Sequence, residues 1–301
     1  MSPVLSLQFS MFLMIFVGLI IKKIGLIGEQ GKKNLTDLVI NLILPCNIIR
    51  SFMIEFSKDT LIGFADIFII SLVIQAGCVV LGRLSYRKQP VQRQKCLQYG
   101  FICSNAGFLG NPVAEGVFGS MGLALASIYL IPQRVMMWSS GLAIFSGTTD
   151  RKAILKKVLT HPCIIACEIG LVLMFTQVQL PDFLEKTLDS LSNCNTALSM
   201  LVIGMILAEI KVKELADREL ITYTIMRLAV IPAVILVPCL LLKLPDLVTG
   251  VRVLLAGMPA GATTSILASK YHCDEKFGTK LVVFSTAFSL ITIPVWSMLL
   301  T

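Results

Sequence analysis

The stretch SNAGFLGNP at residues 104–112 decides how this chain folds, because it interrupts an apolar segment that is long enough to cross a membrane. Two asparagines, two glycines and a proline lie within nine residues, and an uninterrupted transmembrane helix does not favour that composition. Gly110 permits unusual backbone angles, Asn111 is a good N-cap, and Pro112 suits the first position of a helix. The pattern predicts a helix that stops, crosses a gap and restarts at Asn111–Pro112.

The composition around this stretch is that of a membrane protein. Hydrophobic residues make up 55% of the 301 residues, 15% are charged, and the mean hydropathy is +0.83. A soluble domain is about a quarter charged, whereas apolar runs of about 20 residues, the length that a bilayer requires, recur along this chain. We therefore predict an all-α integral membrane protein without a soluble domain.

Ten apolar segments are predicted to span the bilayer, and the net charge of +8 is spread unevenly over the loops between them. The loops after odd-numbered segments, with the adjoining segment ends, hold 19 of the 26 lysines and arginines, and the other loops hold four. Cytoplasmic loops carry the excess of such residues, so we predict a plasma-membrane protein with both termini outside. Because these charges lie in short loops rather than on one basic face, no nucleic-acid partner is expected. The predicted segments are 4–21, 34–54, 60–82, 95–119, 121–146, 161–178, 184–208, 217–242, 248–270 and 277–300.

The loop TDRKAILKKVLTHP (149–162) divides the segments into two halves of five. The fourth and ninth segments carry matching interruptions, SNAGFLGNP in the first half and AGMPAGATTS (256–265) in the second. Because five is odd, the second half must enter the membrane in the opposite orientation, and paired Gly/Pro interruptions in inverted repeats mark transporter binding sites. We predict two inverted five-helix repeats, residues 1–148 and 149–301, whose broken helices 4 and 9 cross.

The two interruptions supply the candidate substrate-binding groups. A half-helix that restarts at Asn111 presents free N–H groups and a positive dipole end, both of which suit an anion. Irregular backbone at membrane depth persists only where protein buries it or where it lines a watery cavity. Arg134 in segment 5 is a candidate partner for a substrate carboxylate, or alternatively a lipid-headgroup contact or a partner for Glu115. The other candidates from the interruptions are Gly107, Pro112, Pro259, Thr263, Thr264 and Ser265.

Further polar side chains within the segments are candidates for coupling to H⁺ or Na⁺, because such residues are costly in a membrane and tend to be functional. Asp66 is interpreted as a proton-binding group or a buried anchor, and Gln75 as a cation ligand or a packing residue. Glu115 gains from the dipole of the restarted helix, and its role stays open. Arg227 is interpreted as a tie between helices. We expect no metal and no cofactor.

An enzymatic function is not indicated. The two histidines, His161 and His272, lie at segment ends, and the sequence has no HExxH, P-loop or G-x-S-x-G motif. The nine cysteines lack a CxxC pair, and most are interpreted as small buried hydrophobes. The alternatives to an anion carrier are a proton- or sodium-coupled carrier of the same architecture with another cargo, an intramembrane enzyme, and a sensor that binds without transporting.

Four stretches resemble the auxin efflux carrier family in its compact prokaryotic form. The fourth-segment element is the most specific, since the family carries an Asn seven residues before the proline of a Gly-x-Pro element, as Asn105 precedes Pro112 here. The family commonly has an apolar residue where this chain has Asn111. The stretches are NLILPCNIIRSF (41–52), SNAGFLGNPVAEGVFG (104–119), MRLAVIPAVIL (226–236) and MPAGATTSILASKY (258–271).

The resemblance implies ten helices in two inverted repeats, similar to bile-acid/sodium symporters and NhaA. Helices 1, 2, 6 and 7 would form a scaffold and a homodimer contact, while helices 3–5 and 8–10 would form a moving core that crosses at Pro112 and Pro259. It also implies that Asn105 contacts a substrate carboxylate, that Gln133 lines the site and that Asp66 responds to protonation. The family transports organic anions such as auxin, malate or malonate, and the polar site here favours a small mono- or dicarboxylate carried by elevator-like alternating access.

Overall fold

The structure is a computed structural model that describes residues 3–146, 151–208 and 217–301. In these ranges the chain is helical and has no β-strand, which confirms the predicted all-α class. The α-helices are α1 (Pro3–Lys23), α2 (Glu29–Leu38), α3 (Leu44–Ser51), α4 (Lys58–Ser85), α5 (Val91–Ile102), α6 (Asn111–Met136), α7 (Leu142–Ser146), α8 (Arg151–Leu159), α9 (Pro162–Thr176), α10 (Asp182–Leu207), α11 (Arg218–Ile225), α12 (Ile231–Leu241), α13 (Asp246–Ala256), α14 (Thr263–Lys270) and α15 (Glu275–Leu299). Wider π-helical turns occupy Val39–Ile43, Ala106–Gly110, Met137–Gly141 and Met226–Val230.

Five helical segments of the described chain are long and apolar enough to cross a membrane. Shorter helices cover the remaining predicted segments. With five membrane-crossing segments the chain is a multi-pass membrane protein. The segments that cross by length and composition are Lys58–Ser85, Ala106–Met136, Asp182–Leu207, Arg218–Leu241 and Glu275–Leu299. The ten-helix inverted repeat stays a prediction.

Helix boundaries follow local capping chemistry. The Ser57 hydroxyl accepts a hydrogen bond from the Thr60 amide at the start of α4, and Asp274 accepts one from the Phe277 amide at the start of α15. Helix α6 is interrupted at Gly119, whose φ of +68° suits a residue without a Cβ. This turn lies where the predicted segments 4 and 5 meet.

The helices pack in two groups. One group contains α1, α3, α9 and α10, and the other contains α4–α6 with α11–α15. Within the first group α1 and α10 touch backbone to backbone: a Cβ added at Gly204 would lie 1.9 Å from the Ile15 carbonyl oxygen, and one at Gly18 would lie 2.2 Å from that of Leu201. These glycines are therefore required for the approach of α1 to α10. The second group contains both sequence interruptions.

Candidate functional site

The two interrupted helices meet at their breaks. The Asn105 amide donates to the Pro259 carbonyl oxygen at 2.7 Å, and the Gly261 amide donates to the Cys103 carbonyl oxygen at 2.9 Å. These bonds form a single antiparallel bridge between Ser104 and Ala260. Each break therefore satisfies part of the backbone that the other leaves free, as buried N–H and C=O groups require.

Arg227 lies at one part of this crossing. We call this part the helix ends, because the carboxyl ends of α5 and α13 meet there. The Arg227 guanidinium donates to the Phe101 carbonyl oxygen at 3.2 Å and to that of Met258 at 2.9 Å, and a third contact reaches the Cys78 sulfur. The side chain is 1% exposed. A cation is favoured at the negative ends of helix dipoles, so Arg227 acts as the tie between helices that the sequence indicated.

We call the opposite termini the helix starts: the π-helical turn Ala106–Gly110 with the first residue of α6, which continues it without a gap, and the first residues of α14. They have polar atoms without partners. Asn111 is fully buried, and neither its side-chain oxygen nor its nitrogen has a hydrogen bond among the described residues. The buried Thr264 hydroxyl is unpartnered as well. An unpartnered buried polar group costs about 1–3 kcal/mol. Single threonine hydroxyls are also unpartnered at three positions outside the breaks, Thr224, Thr249 and Thr292.

Gln133 places α6 against the first break. Its amide nitrogen donates to the Ser104 carbonyl oxygen at 2.8 Å, and its amide oxygen accepts from the Ser104 hydroxyl at 2.9 Å. Gln75 of α4 donates weakly to the same Gln133 oxygen at 3.4 Å, while its own amide oxygen is buried without a partner. The side chain of Asn105, the next residue after Ser104, is buried and has no hydrogen bond to a described residue. The structure thus brings four predicted or neighbouring polar side chains together at the break.

Glycine and proline shape the two breaks at close quarters. A Cβ at Gly110 would lie 2.7 Å from the Leu255 side chain of α13, whereas one at Gly107 would meet no atom within 4 Å. Gly110 therefore permits the contact between the broken helices, and Gly107 borders open space. Pro112 is buried at the second position of α6, and the Pro259 carbonyl belongs to the bridge.

The hydroxyls after the second break are engaged to different degrees. Thr263 accepts from the Tyr99 hydroxyl at 3.2 Å and lies 3.2 Å from the Cys103 sulfur. Ser265 shares a hydrogen bond of 2.6 Å with Thr279 of α15. Two of the three predicted hydroxyls are thus already bonded within the protein, and Thr264 is the one that is not.

Arg134 lies apart from this cluster. Although it adjoins Gln133 in sequence, its guanidinium interacts with the Cys163 and Cys167 thiols of α9, and one of its terminal nitrogens is buried without a partner. Successive residues of a helix point about 100° apart. That rotation sends Gln133 to the break and Arg134 to the neighbouring packing group.

Asp66 is paired with a residue that sequence reasoning missed. Arg252 of α13 is completely buried and donates to the Asp66 carboxylate at 2.5 Å, and it also bonds the Val248 carbonyl oxygen. Arg252 was counted among the loop charges because it lies four residues after the predicted start of segment 9. The pair could have been suspected from the sequence, because one predicted segment contains a basic residue and another contains a carboxylate.

Glu115 joins the two packing groups. The Asn47 amide of α3 donates to both Glu115 oxygens at 3.2 Å and to the Ser192 hydroxyl at 2.9 Å, while Asn195 of α10 donates to the Asn47 oxygen at 2.9 Å. Among the described residues no cation forms a salt bridge with this carboxylate. Glu115 is therefore held by the Asn47 amide, whereas Asp66 is held by an arginine.

Comparisons with known proteins assign this architecture to transport. The family model described as "Membrane transport protein" matches residues 3–297. The chain is 28% identical to an uncharacterized transporter of Methanothermobacter thermautotrophicus, over 97% of this chain and 96% of the relative. It is 27% identical to one of Methanocaldococcus jannaschii, over 96% of each, and 22% identical to the uncharacterized transporter YfdV of Escherichia coli, over 89% and 88%.

Proposed function

Because the chain belongs to the membrane transport protein family, the auxin efflux carrier family that its motifs resemble, we propose that it is a secondary transporter of a small organic anion. The proposed cargo is a mono- or dicarboxylate such as malate or malonate. The family and the names of its relatives indicate transport rather than catalysis.

The observation that carries this proposal is the unpartnered polar set at the crossing. Asn111 offers a whole buried amide and Thr264 a buried hydroxyl, neither of which has a partner among the described residues. Asn105 adds a buried amide next to the bridge between the breaks. A carboxylate that accepts from these donors would satisfy them in a setting where each hydrogen bond to a charged group is worth about 1.5–3 kcal/mol. The helix that restarts at Ala106, next to Asn105, and helix α14 both present positive dipole ends, which favour the same charge.

The division of the helices into two packing groups supports alternating access by an elevator-like movement. We propose that α1–α3, α9 and α10 form the scaffold and that α4–α7 with α11–α15 form the moving core of two inverted five-helix repeats. The crossing lies within the core, so the substrate would move with it. The scaffold would also provide the contact in a homodimer in the plasma membrane, with both termini outside.

Coupling to protons is proposed to run through Glu115. The charge of Asp66 is compensated by Arg252, whereas Glu115 has amide and hydroxyl neighbours from the scaffold. Arg50, on the same helix as Asn47, pairs with Asp189 and Glu185 of α10. Protonation of Glu115 would remove the negative charge that strengthens the hydrogen bonds from Asn47, and so would weaken a contact between core and scaffold. Gln75 and Asp66 would then be positioning groups of the core.

Thermal unfolding of the purified protein with a panel of carboxylates tests the cargo. At 100 times its dissociation constant a ligand should add about 2.7 kcal/mol to the free energy of unfolding. We expect malate or malonate to stabilise wild type and not Asn105→Ala, while the exposed Asn193→Ala behaves as wild type. Stabilisation by sodium chloride alone, or uptake into proteoliposomes of indole acids alone, would refute the proposed cargo.

The role of Glu115 is tested separately by uptake measured across a range of external pH. Glu115→Gln should flatten the pH dependence of the rate, while the neighbouring surface variant Glu185→Gln should keep the wild-type profile. An unchanged pH profile in Glu115→Gln with wild-type substrate stabilisation would assign coupling elsewhere and leave the anion site intact.

A further inference from the structure

A groove lies between α4 and α12 on the core group, and no residue of the two interruptions lines it. Its volume is about 500 Å³, within the range of small-molecule sites. Helix α4 packs on α5, α6 and α13, and α12 packs on α13, which leaves the space between α4 and α12 unfilled. The groove is lined on one wall by Ile70, Val73, Ile74, Gly77, Cys78 and Leu81.

The wall residues form a single stripe along each helix. Those of α4 recur at intervals of three and four residues from Ile70 to Leu81, which corresponds to about 16 Å of helix. The facing wall runs from Met226 to Leu242 along the π-helical turn and α12. The groove is thus about as long as half of a bilayer core of about 30 Å.

The side chains around the groove indicate that it faces lipid. The side chains of Val73, Val234 and Leu242 are 63%, 64% and 69% exposed, although all three are aliphatic. Val73 and Val234 lie on two helical segments that are long and apolar enough to cross a membrane, and Leu242 directly follows the second of them. In a bilayer such side chains face acyl chains, so an acyl chain is what enters a groove between them.

One end of the groove carries the chemistry of a headgroup site. Lys243 stands between the lining residues Leu242 and Leu244, and it is exposed. It belongs to one of the loops with few basic residues, and the nearby acid is Asp246 at the start of α13. An exposed lysine beside an apolar cleft at a membrane surface favours the phosphate of a lipid.

The floor of the groove connects it to the buried arginines. The lining thiol of Cys78 accepts a hydrogen bond from Arg227 at 3.4 Å, and the lining thiol of Cys239 accepts one from Arg252 at 3.8 Å. Arg227 holds the helix ends and Arg252 holds Asp66. An acyl chain in the groove would therefore contact the two thiols that bond Arg227 and Arg252.

We propose that the groove between α4 and α12 is a binding site for one phospholipid, with an acyl chain between the two helices and the phosphate at Lys243. The site goes beyond the proposed transport function and does not depend on the identity of the cargo. A lipid bound here stabilises the core group from its outer face.

Native mass spectrometry of the purified protein with added phosphatidylglycerol tests the site. We expect wild type to retain one lipid per chain and Gly77→Phe to bind it about tenfold or more weakly, because the ring occupies the groove that buried methylenes need. A Cβ at Gly77 meets no atom within 4 Å, so the substitution is compatible with the backbone. The matched control is Val80→Phe on the same helix, whose side chain is 54% exposed and outside the lining.

A second pair of variants tests the headgroup. Lys243→Gln should weaken the binding of phosphatidylglycerol. The control variant Lys186→Gln, on α10, should bind the lipid with wild-type affinity. Equal lipid retention by wild type and Gly77→Phe, with both proteins folded by thermal unfolding, would overturn the proposal. The proposal would also be overturned if a second copy of the chain filled the groove. In that case Gly77→Phe would dissociate a dimer without changing the amount of bound lipid.

Discussion

The helix ends and the helix starts at the crossing differ in how their polar groups are satisfied. At the ends, one buried arginine bonds carbonyl oxygens of both broken helices. At the starts, a complete asparagine amide and a threonine hydroxyl are buried without partners. The first arrangement stabilises the fold by itself, and the second becomes favourable only when something else supplies the missing bonds. The protein's own structure therefore completes one half of the crossing, whereas the other half keeps buried polar groups without partners among the described residues.

Removal of Arg227 should produce the largest effect, because this one buried side chain donates to carbonyl oxygens of both broken helices. Arg227→Met leaves the Phe101 and Met258 carbonyl oxygens without this donor, at about 1–3 kcal/mol each. We expect a fall of about 2–6 kcal/mol in the free energy of unfolding, read as a lower unfolding temperature in detergent. Arg227→Lys, which keeps the charge but not the planar fork, should recover part of the loss. Wild-type stability in Arg227→Met would show that the helix ends do not depend on the arginine.

The same kind of substitution at the helix starts should act in the opposite direction. Asn111→Leu replaces two unpartnered polar atoms by an apolar side chain of similar size, so the ligand-free protein should gain about 1–3 kcal/mol. The variant should also lose its stabilisation by malonate. Thermal unfolding with and without malonate measures both effects. A variant that is destabilised without ligand would mean that the Asn111 amide is satisfied within the protein.

Two glycines of the first break provide a matched steric test. Gly110→Ala places a methyl group 2.7 Å from Leu255 and should cost about 1–3 kcal/mol of stability. Gly107→Ala meets no neighbour within 4 Å and should leave stability within about 0.5 kcal/mol. Unfolding temperatures of the two variants compare them directly. Equal losses would show that backbone freedom, rather than the approach to α13, is what both positions require.

The smallest effect on stability is expected away from the crossing, at Glu29. This residue shows how much a solvent-exposed charge contributes. Hydrogen bonds from Lys22 and Lys32 lower the pKa of Glu29. A lowered pKa means that the contribution to stability is complete above the pKa of the unfolded chain, near 4.5, and is lost as the pH falls through the folded value. For so exposed a group it should be below about 1 kcal/mol. Glu29→Gln should therefore match wild type in acid and unfold slightly earlier at neutral pH.

The sequence predicted the position of the crossing because glycine, proline and asparagine act locally. The breaks at SNAGFLGNP and AGMPAGATTS depend on backbone preferences that can be read from neighbouring residues. The predicted restart at Asn111 was wrong, because the helix already restarts at Ala106 as a π-helical turn that runs directly into α6. The membership of the family was predicted from the same motifs and is confirmed by the match over residues 3–297. Arg227 was also interpreted correctly as a tie between helices.

Side-chain pairing could not be predicted, since it depends on the rotation of one helix against another. Arg252 and Asp66 are 186 residues apart, and nothing in either segment specifies that the two face each other. The adjacent Gln133 and Arg134 were assigned to one site, yet the turn of the helix separates them. The link from Glu115 to Asn47 spans 68 residues and likewise required the packed structure.

The backbone contact between α1 and α10 has a consequence for the time course of synthesis. Gly18 and Gly204 are 186 residues apart in the sequence, and each lies against the backbone of the other helix. At about 5–20 residues per second, α1 leaves the ribosome about 10–40 s before its partner. Throughout that interval the glycine face of α1 is covered by lipid or by the insertion machinery, and the scaffold closes only when the seventh segment arrives.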